Sequence, residues 1–303
     1  MSNKIIISNT KSLLQDFQDF CKKNNPANQE EAIKYFSIFG GLNIHINTSI
    51  SIEKLIEKLI LNKYKYLRND INTLISGGEL YSSILTGIAL GDRRTNSAFK
   101  RANISFDEGI GIVDHLCKSK VLKLEKSLQS LSNNNNQYTV SEKLLFKSPF
   151  VRFWFACISP IFKGIRDGNY EEFFLVFQNR KEQFSQLIFE QLSHEIIKLK
   201  IRQNIFTKIQ GQTIIKLGRY WDDDINIDLL VKTKNGQTIA GECKYTNSKI
   251  NKAVLTNLKE RCKKAKIDID IFVLFSKSGF SSELKSLKGD YLKLFTIKSF
   301  KFN

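Results

Sequence analysis

The chain has 303 residues and carries 47 Lys+Arg against 30 Asp+Glu, a formal charge of +17. Its length suits two or three domains, no apolar run reaches the 18 residues of a membrane span, and five cysteines with three histidines show no zinc-ligand spacing. The odd cysteine count and the lack of a signal peptide lead us to expect reduced thiols in a cytoplasm and no membrane partner. The basic excess points to a nucleic-acid partner, or to an AT-rich coding bias, of which the run Asn133 to Asn136 is a sign.

Residues 1–68 read as a helical N-terminal region. Leu13, Leu14, Phe17 and Phe20 form one apolar stripe at helical spacing, and Ile52, Leu55, Ile56, Leu59 and Ile60 form another. Gly40-Gly41 breaks the helix between them. The expected role is a packing module, with docking of a protein partner as a second possibility.

Residues 69–147 read as a winged helix-turn-helix. Leu80, Ile84, Leu85, Ile88 and Leu90 mark a first helix that ends near Gly91. Arg93 to Ala102 is the second helix and Asp107 to Lys118 the third. Val121–Leu124 and Gln137–Val140 are the expected wing strands, joined by the polar loop 127–136. Arg93, Arg94, Lys100 and Arg101 are placed to grip phosphates. Asp107, Glu108 and Asp114 on the third helix would repel them, so DNA contact and protein docking both stay open.

Residues 148–303 read as an α/β domain with a mixed central sheet, which makes the whole chain α+β and multidomain. A helix spans about Phe184 to Lys200, with apolar residues at 184, 187, 188, 192 and 196. Strands follow near Thr213–Leu217, Ile225–Val231 and Ile239–Tyr245, with Asn235-Gly236 as a tight turn between the last two. A helix from about Asn251 to Lys266 leads into the continuous apolar run Asp270–Ser276, as in a buried parallel strand. Leu292–Ile297 closes the sheet. Charge concentrates here too: Glu195 to Asn303 holds 22 Lys+Arg and 11 Asp+Glu.

Two acids in this domain sit among apolar residues. Asp228 lies in Ile227-Asp228-Leu229-Leu230-Val231, and Glu242 follows in Gly241-Glu242-Cys243-Lys244. Strand alternation puts Glu242 and Lys244 on one face and Cys243 on the other, where it packs as a small buried thiol. Burying such charges is costly, and a divalent cation between Asp228 and Glu242 would offset the cost. Magnesium suits a site of one or two carboxylates completed by water and substrate phosphate. The competing reading is an ordinary charge cluster at the exposed end of a hairpin.

Asp-(x)13-Glu-x-Lys resembles the active site of the PD-(D/E)xK, or restriction-endonuclease-like, nuclease superfamily. The resemblance implies Asp228 and Glu242 as ligands of Mg2+ or Mn2+ and Lys244 as the residue assisting hydrolysis. It also implies a third acid from a preceding helix. Glu190 fits that place, as a metal ligand or as a solvated helix position, and Glu195 is the runner-up. More of the chain, from about Tyr81 to about Phe275, is similar to the C-terminal domain of a family of archaeal and bacterial AAA-type ATPases. The similarity runs through Phe150-Val151-Arg152-Phe153-Trp154-Phe155, Ser159-Pro160, Leu217-Gly218-Arg219-Tyr220-Trp221, Asn226-Ile227-Asp228 and Gly241-Glu242-Cys243-Lys244-Tyr245. Asn226 stands where that family usually has glutamate. No G-x-x-x-x-G-K-[ST] run occurs in these residues, so no ATP hydrolysis is expected of this chain.

The combined expectation is a Mg2+-dependent deoxyribonuclease that uses Asp228, Glu242, Lys244 and Glu190. Lys249, Lys252, Lys259, Arg261, Lys263 and Lys264 would form part of a substrate track. Trp221 and Tyr245 either stack on bases or pack into the core. The alternative is a catalytically inactive DNA-binding or adaptor protein on the same fold.

Overall fold

The structure, a computed structural model, describes Ile5, residues 11–131 and residues 140–300. The chain forms two compact units, one from residues 1–125 and 141–188, the other from residues 126–140 and 189–303.

The first unit is mainly helical. Helix α1 (Leu13–Asn24) starts at a reciprocal capping box between Ser12 and Gln15, and α2 (Gln29–Phe39) at an Asn28 cap. Phe17 and Phe20 meet Phe36 edge-on, with ring centroids 5.3 and 5.4 Å apart. Helix α2 stops at Gly40, and Gly41 then takes φ +94°, a conformation open to glycine. Helices α3 (Ile52–Leu59) and α4 (Tyr64–Ile75) follow, so helical structure runs on past residue 68.

Next come α5 (Glu79–Leu90), α6 (Thr95–Ala102) and α7 (Phe106–Lys118), near the three helices expected from the sequence. Strand β1 (Leu122–Glu125) pairs antiparallel with β2 (Lys143–Phe146), Leu122 opposite Phe146. The partner strand therefore lies after the expected one: Val140 forms no strand, and 137–139 fall outside the described residues. Lys143-Leu144-Leu145-Phe146 is the more apolar stretch, and Leu144, Leu145 and Phe146 are buried. Part of the expected wing loop has another place, since residues 126–140 belong to the second unit.

Helices α8 (Pro149–Phe153) and α9 (Phe162–Arg166) flank a π-helical turn, Trp154–Ile158. Helix α10 then spans Glu171–Arg202. It begins well before the expected Phe184 because Phe173 and Phe177 extend the apolar stripe. Both rings meet Phe153 edge-on, as does Phe184. Each such ring, fully buried, contributes roughly 1.5–3 kcal/mol.

The second unit is built on a five-stranded sheet in the order β3 (Ile214–Trp221), β4 (Asn226–Thr233), β5 (Thr238–Lys244), β6 (Ile271–Ser276) and β7 (Leu292–Thr296). The first two pairings are antiparallel and the last two parallel, so the sheet is mixed. Gly236 at φ +87° turns the chain between β4 and β5, at the expected Asn-Gly. Helix α11 (Lys252–Lys264) crosses from β5 to β6, and α12 (Ser282–Ser286) is a short turn before β7. Leu255, Leu258 and Cys262 of α11 pack with Ile227, Leu230, Ala240 and Leu274 of the sheet. Elsewhere in this core Phe189 of α10 packs against Tyr245 and Phe300. The free edge of β3 is covered by the inserted segment: Leu128 N–H donates to Arg219 O at 2.9 Å, and Ser127 Oγ bonds both backbone groups of Trp221. Covering an edge in this way blocks pairing with another chain.

Candidate active site

The pairing of β3 with β4 is irregular at one place. Gly218 faces Leu230 and Tyr220 faces Ile227, so Arg219 alone stands opposite both Asp228 and Leu229. This is a β-bulge, a device that re-aims a side chain and recurs beside active sites. The Asp228 carboxylate is turned to β5, where Oδ2 accepts the Cys243 N–H at 3.0 Å. Oδ1 accepts from Asn226 Nδ2 at 3.1 Å. An ionised acid at 226 could not make that donation, so Asn226 leaves Asp228 one fewer negative neighbour than a glutamate there would.

Asp228 is buried and makes no ion pair among the described residues. Its pKa is raised to about 7, first by burial and then by the charges of Glu190 and Glu242; the Cys243 N–H and Arg219 pull the other way. Glu190 reaches in from α10 and is held by Arg219 Nη2 at 2.7 Å. His194, one turn further along α10, bonds the Asp228 carbonyl through Nε2 at 2.7 Å. Glu195 instead pairs with Lys198 on its own helix, so Glu190 is the helical acid next to the site.

Glu242 is buried, and each of its oxygens has a cationic partner. Lys244 Nζ is 2.7 Å from Oε1 and Arg261 Nη2 is 2.5 Å from Oε2. Glu242 and Lys244 thus share a face, as strand alternation requires. Burial works against the Lys244 ammonium, but the bond to Glu242 and the charges of Glu242 and Asp228 outweigh it and raise its pKa. Cys243 is buried, and its thiol is pushed well above the ordinary range by burial and by the charges of Asp228 and Glu190; a proton held that firmly makes a poor nucleophile.

A cleft of about 400 Å3 opens on this face, lined by Glu242, Lys244, Val254, Asn257, Glu260, Arg261 and Lys264. The basic residues of α11 do not share one track. Arg261 and Lys264 border the cleft, Lys259 lies over the rings of Phe272 and Tyr291, and Lys252 pairs with Glu283. Lys249 and Lys263 are exposed elsewhere on the unit. Trp221 and Tyr245 are both buried, the packing alternative.

The remaining basic candidates belong to the other unit. Arg93 pairs with Glu125 at 3.3 Å, Arg94 lies 3.7 Å from Asp92, and Lys100 and Arg101 are exposed. Arg101 lines a separate cavity of about 690 Å3 with Arg68, Thr86, Trp154 and Ser159; Glu190, Asp228 and Glu242 do not line it.

Sequence reasoning placed the acids but missed Arg219 and His194. Arg219 carried a signal, since an arginine next to Tyr220-Trp221 on a strand leading into the apolar hairpin needs a partner if it is buried. His194 carried none, because its contact is to a backbone carbonyl. Among the described residues no group of three His, Cys, Asp or Glu side chains is already arranged to hold a metal ion. Glu190 Oε2 is held by Arg219, and the two oxygens of Glu242 by Lys244 and Arg261; of the three acids, Asp228 makes no ion pair among the described residues.

Comparison with curated proteins returned no match. Among solved structures, human N-acetylserotonin methyltransferase in complex with SAM is 10% identical over 83% of this chain and 67% of that one, with a TM-score of 0.18, too low to indicate a shared fold. A family model described as archaea bacterial proteins of unknown function, DUF234, matches residues 154–257, a span that contains Glu190, Arg219, Asp228, Glu242 and Lys244.

Proposed function

We propose that the second unit is a metal-dependent deoxyribonuclease of the PD-(D/E)xK kind. The observation that carries this reading is the burial of the Asp228 carboxylate among other acids. A bulge turns a buried carboxylate beside two further glutamates, with no ion pair of its own. Water is excluded there, so the repulsion is felt strongly. A hard divalent cation relieves it, and carboxylate oxygens are the donors that Mg2+ or Mn2+ takes. Asp228 and Glu242 would hold the ion. When bound, such an ion acidifies a water and neutralises charge on the phosphate under attack. Lys244, half-exposed at the cleft, is charged and placed to orient that water or to stabilise the developing oxyanion. Arg219 fixes Glu190, and His194 fixes the backbone of Asp228, so both act as positioning residues. The strand order, with a helix before β3 and a crossover helix between β5 and β6, supports the same assignment.

A second reading has its own support. Both oxygens of Glu242 are satisfied by Lys244 and Arg261, as in a structural ion network of a catalytically silent DNA-binding or adaptor protein. In the first unit, the surface of α7 favours a docking role. If α5, α6, α7 and the β1–β2 hairpin form a winged helix, its α7 exposes Phe106 and Ile110 beside the acids Asp107 and Glu108, a surface suited to protein more than to phosphate.

Supercoiled plasmid and single-stranded DNA, incubated with EDTA, Mg2+ or Mn2+, decide between these readings. The nuclease reading expects metal-dependent cleavage that is lost in Asp228→Ala, Glu242→Ala and Lys244→Ala. Tight DNA binding without cleavage under either metal would overturn it in favour of the adaptor.

A further inference from the structure

We propose that Arg261 is an exchangeable clamp on Glu242, closed when no cation is bound and opened by the cation to release a phosphate-binding guanidinium into the cleft. This inference rests on the metal site proposed above. The clamp is a three-point contact. Nη2 holds Glu242 Oε2 at 2.5 Å, Nη1 donates to Asn226 O at 2.5 Å, and Nε donates to Asn257 O on its own helix at 3.3 Å. One guanidinium therefore ties the start of β4 to the end of β5, two residues from Asp228. It occupies one of the two oxygens through which Glu242 would hold a cation, the other facing Lys244. Two positive groups on one carboxylate oxygen repel strongly in a desolvated place, so cation and clamp exclude each other.

The arginine is built to leave where the glutamate is not. Glu242 is on a central strand and buried, whereas Arg261 sits on the exposed flank of α11 at the end of a flexible stem. Once displaced, it stays within the same cleft, beside Lys244 and Lys264. There its planar fork matches a phosphate's oxygens. The cation thus completes the substrate site as well as filling its own. A closed clamp lowers the apparent cation affinity by the fraction of molecules in which it is open.

The test is Mn2+ binding by titration calorimetry on the full chain, with DNA affinity measured in parallel in Ca2+. Arg261→Ala is expected to bind Mn2+ about tenfold tighter, which corresponds to a clamp closed in about nine molecules of ten, and to bind DNA more weakly. Lys264→Ala is the control: it removes the same charge from the same cleft without touching Glu242, and its Mn2+ affinity should stay near wild type. Equal tightening in both variants would mean a general field effect and would overturn the clamp. Unchanged or weaker Mn2+ binding in Arg261→Ala, with wild-type binding intact and lost in Glu242→Ala, would overturn the clamp and leave the metal site standing. No Mn2+ binding by wild type or variant would remove both.

Discussion

On one side of Asp228 the arginine is the buried member of its pair: Arg219 is 2% exposed and Glu190 17%. On the other side the glutamate is buried, Glu242 at 5% against Arg261 at 27%. The chemistry is the same, a guanidinium on a carboxylate at 2.5–2.7 Å, but the burial of the two partners is reversed. Arg219 is anchored on a strand inside the bulge and has nowhere to go. Arg261 hangs from the flank of a helix over an open cleft. If the clamp proposed above operates, the site holds one acid still and frees another, and burial sets which partner moves.

The largest effect is expected at Arg219. Arg219→Met leaves the Glu190 carboxylate without its cation beside Asp228, and breaking a buried pair from one side costs about 3–5 kcal/mol. Urea unfolding measures it. Adding Glu190→Gln to that variant should restore part of the loss, because one uncompensated charge goes. A cost under about 1 kcal/mol for Arg219→Met would make the two sides of Asp228 equivalent and end the contrast.

Asp228 itself comes next. Its folded pKa, about 7, lies above the unfolded carboxylate value. The folded state therefore binds the proton more tightly between these values. Stability is greatest below the unfolded pKa and falls as pH rises through about 7. Asp228→Asn should match wild type near pH 4 and be more stable at pH 8 in EDTA, by roughly 1–3 kcal/mol. Mg2+ or Mn2+ should raise the melting temperature of wild type more at pH 8 than at pH 5, and leave Asp228→Asn nearly unmoved. A cation effect independent of pH would separate Asp228 from the binding site.

Much of this arrangement is legible in the sequence. The period-two pattern put Glu242 and Lys244 together, and Asn235-Gly236 fixed the turn that brings β4 beside β5. The apolar run at 271–276 marked the central parallel strand. The bulge was not legible, because a two-against-one count exists only once β3 and β4 are paired; nothing in Ile227-Asp228-Leu229 announces it. Arg261 was read as a phosphate contact from its charge alone. Its bond to Glu242 depends on how α11 lies over β5, which spacing along one helix does not encode. The early start of α10 was readable in principle, since Phe173, Phe177 and Phe184 share a face. The shifted β2 strand was harder, since two short stretches of similar β propensity compete and the apolar one wins through burial.

A smaller effect is expected where the partner is mobile. Arg261→Met should cost less than about 1 kcal/mol in the same urea experiment, because Lys244 still faces Glu242 and the cleft admits water. A loss as large as that of Arg219→Met would show that the clamp is part of the scaffold, and would count against its release.

The smallest effect is expected at Lys252, whose ion pair with Glu283 is exposed on both sides. Lys252 is the first residue of α11, so its charge sits at the positive end of the helix dipole, where a cation is disfavoured. Lys252→Ala loses a screened surface pair and gains from removing that cation and from the better helix propensity of alanine. These terms are each a few tenths of a kcal/mol and oppose one another, so stability should change by less than about 0.5 kcal/mol. The residue shares its helix with Arg261 and differs from it in burial, so the pair isolates that variable. A loss above about 1 kcal/mol at Lys252 would mean that burial does not rank these ion pairs, and the contrast between the two sides of Asp228 would need another cause.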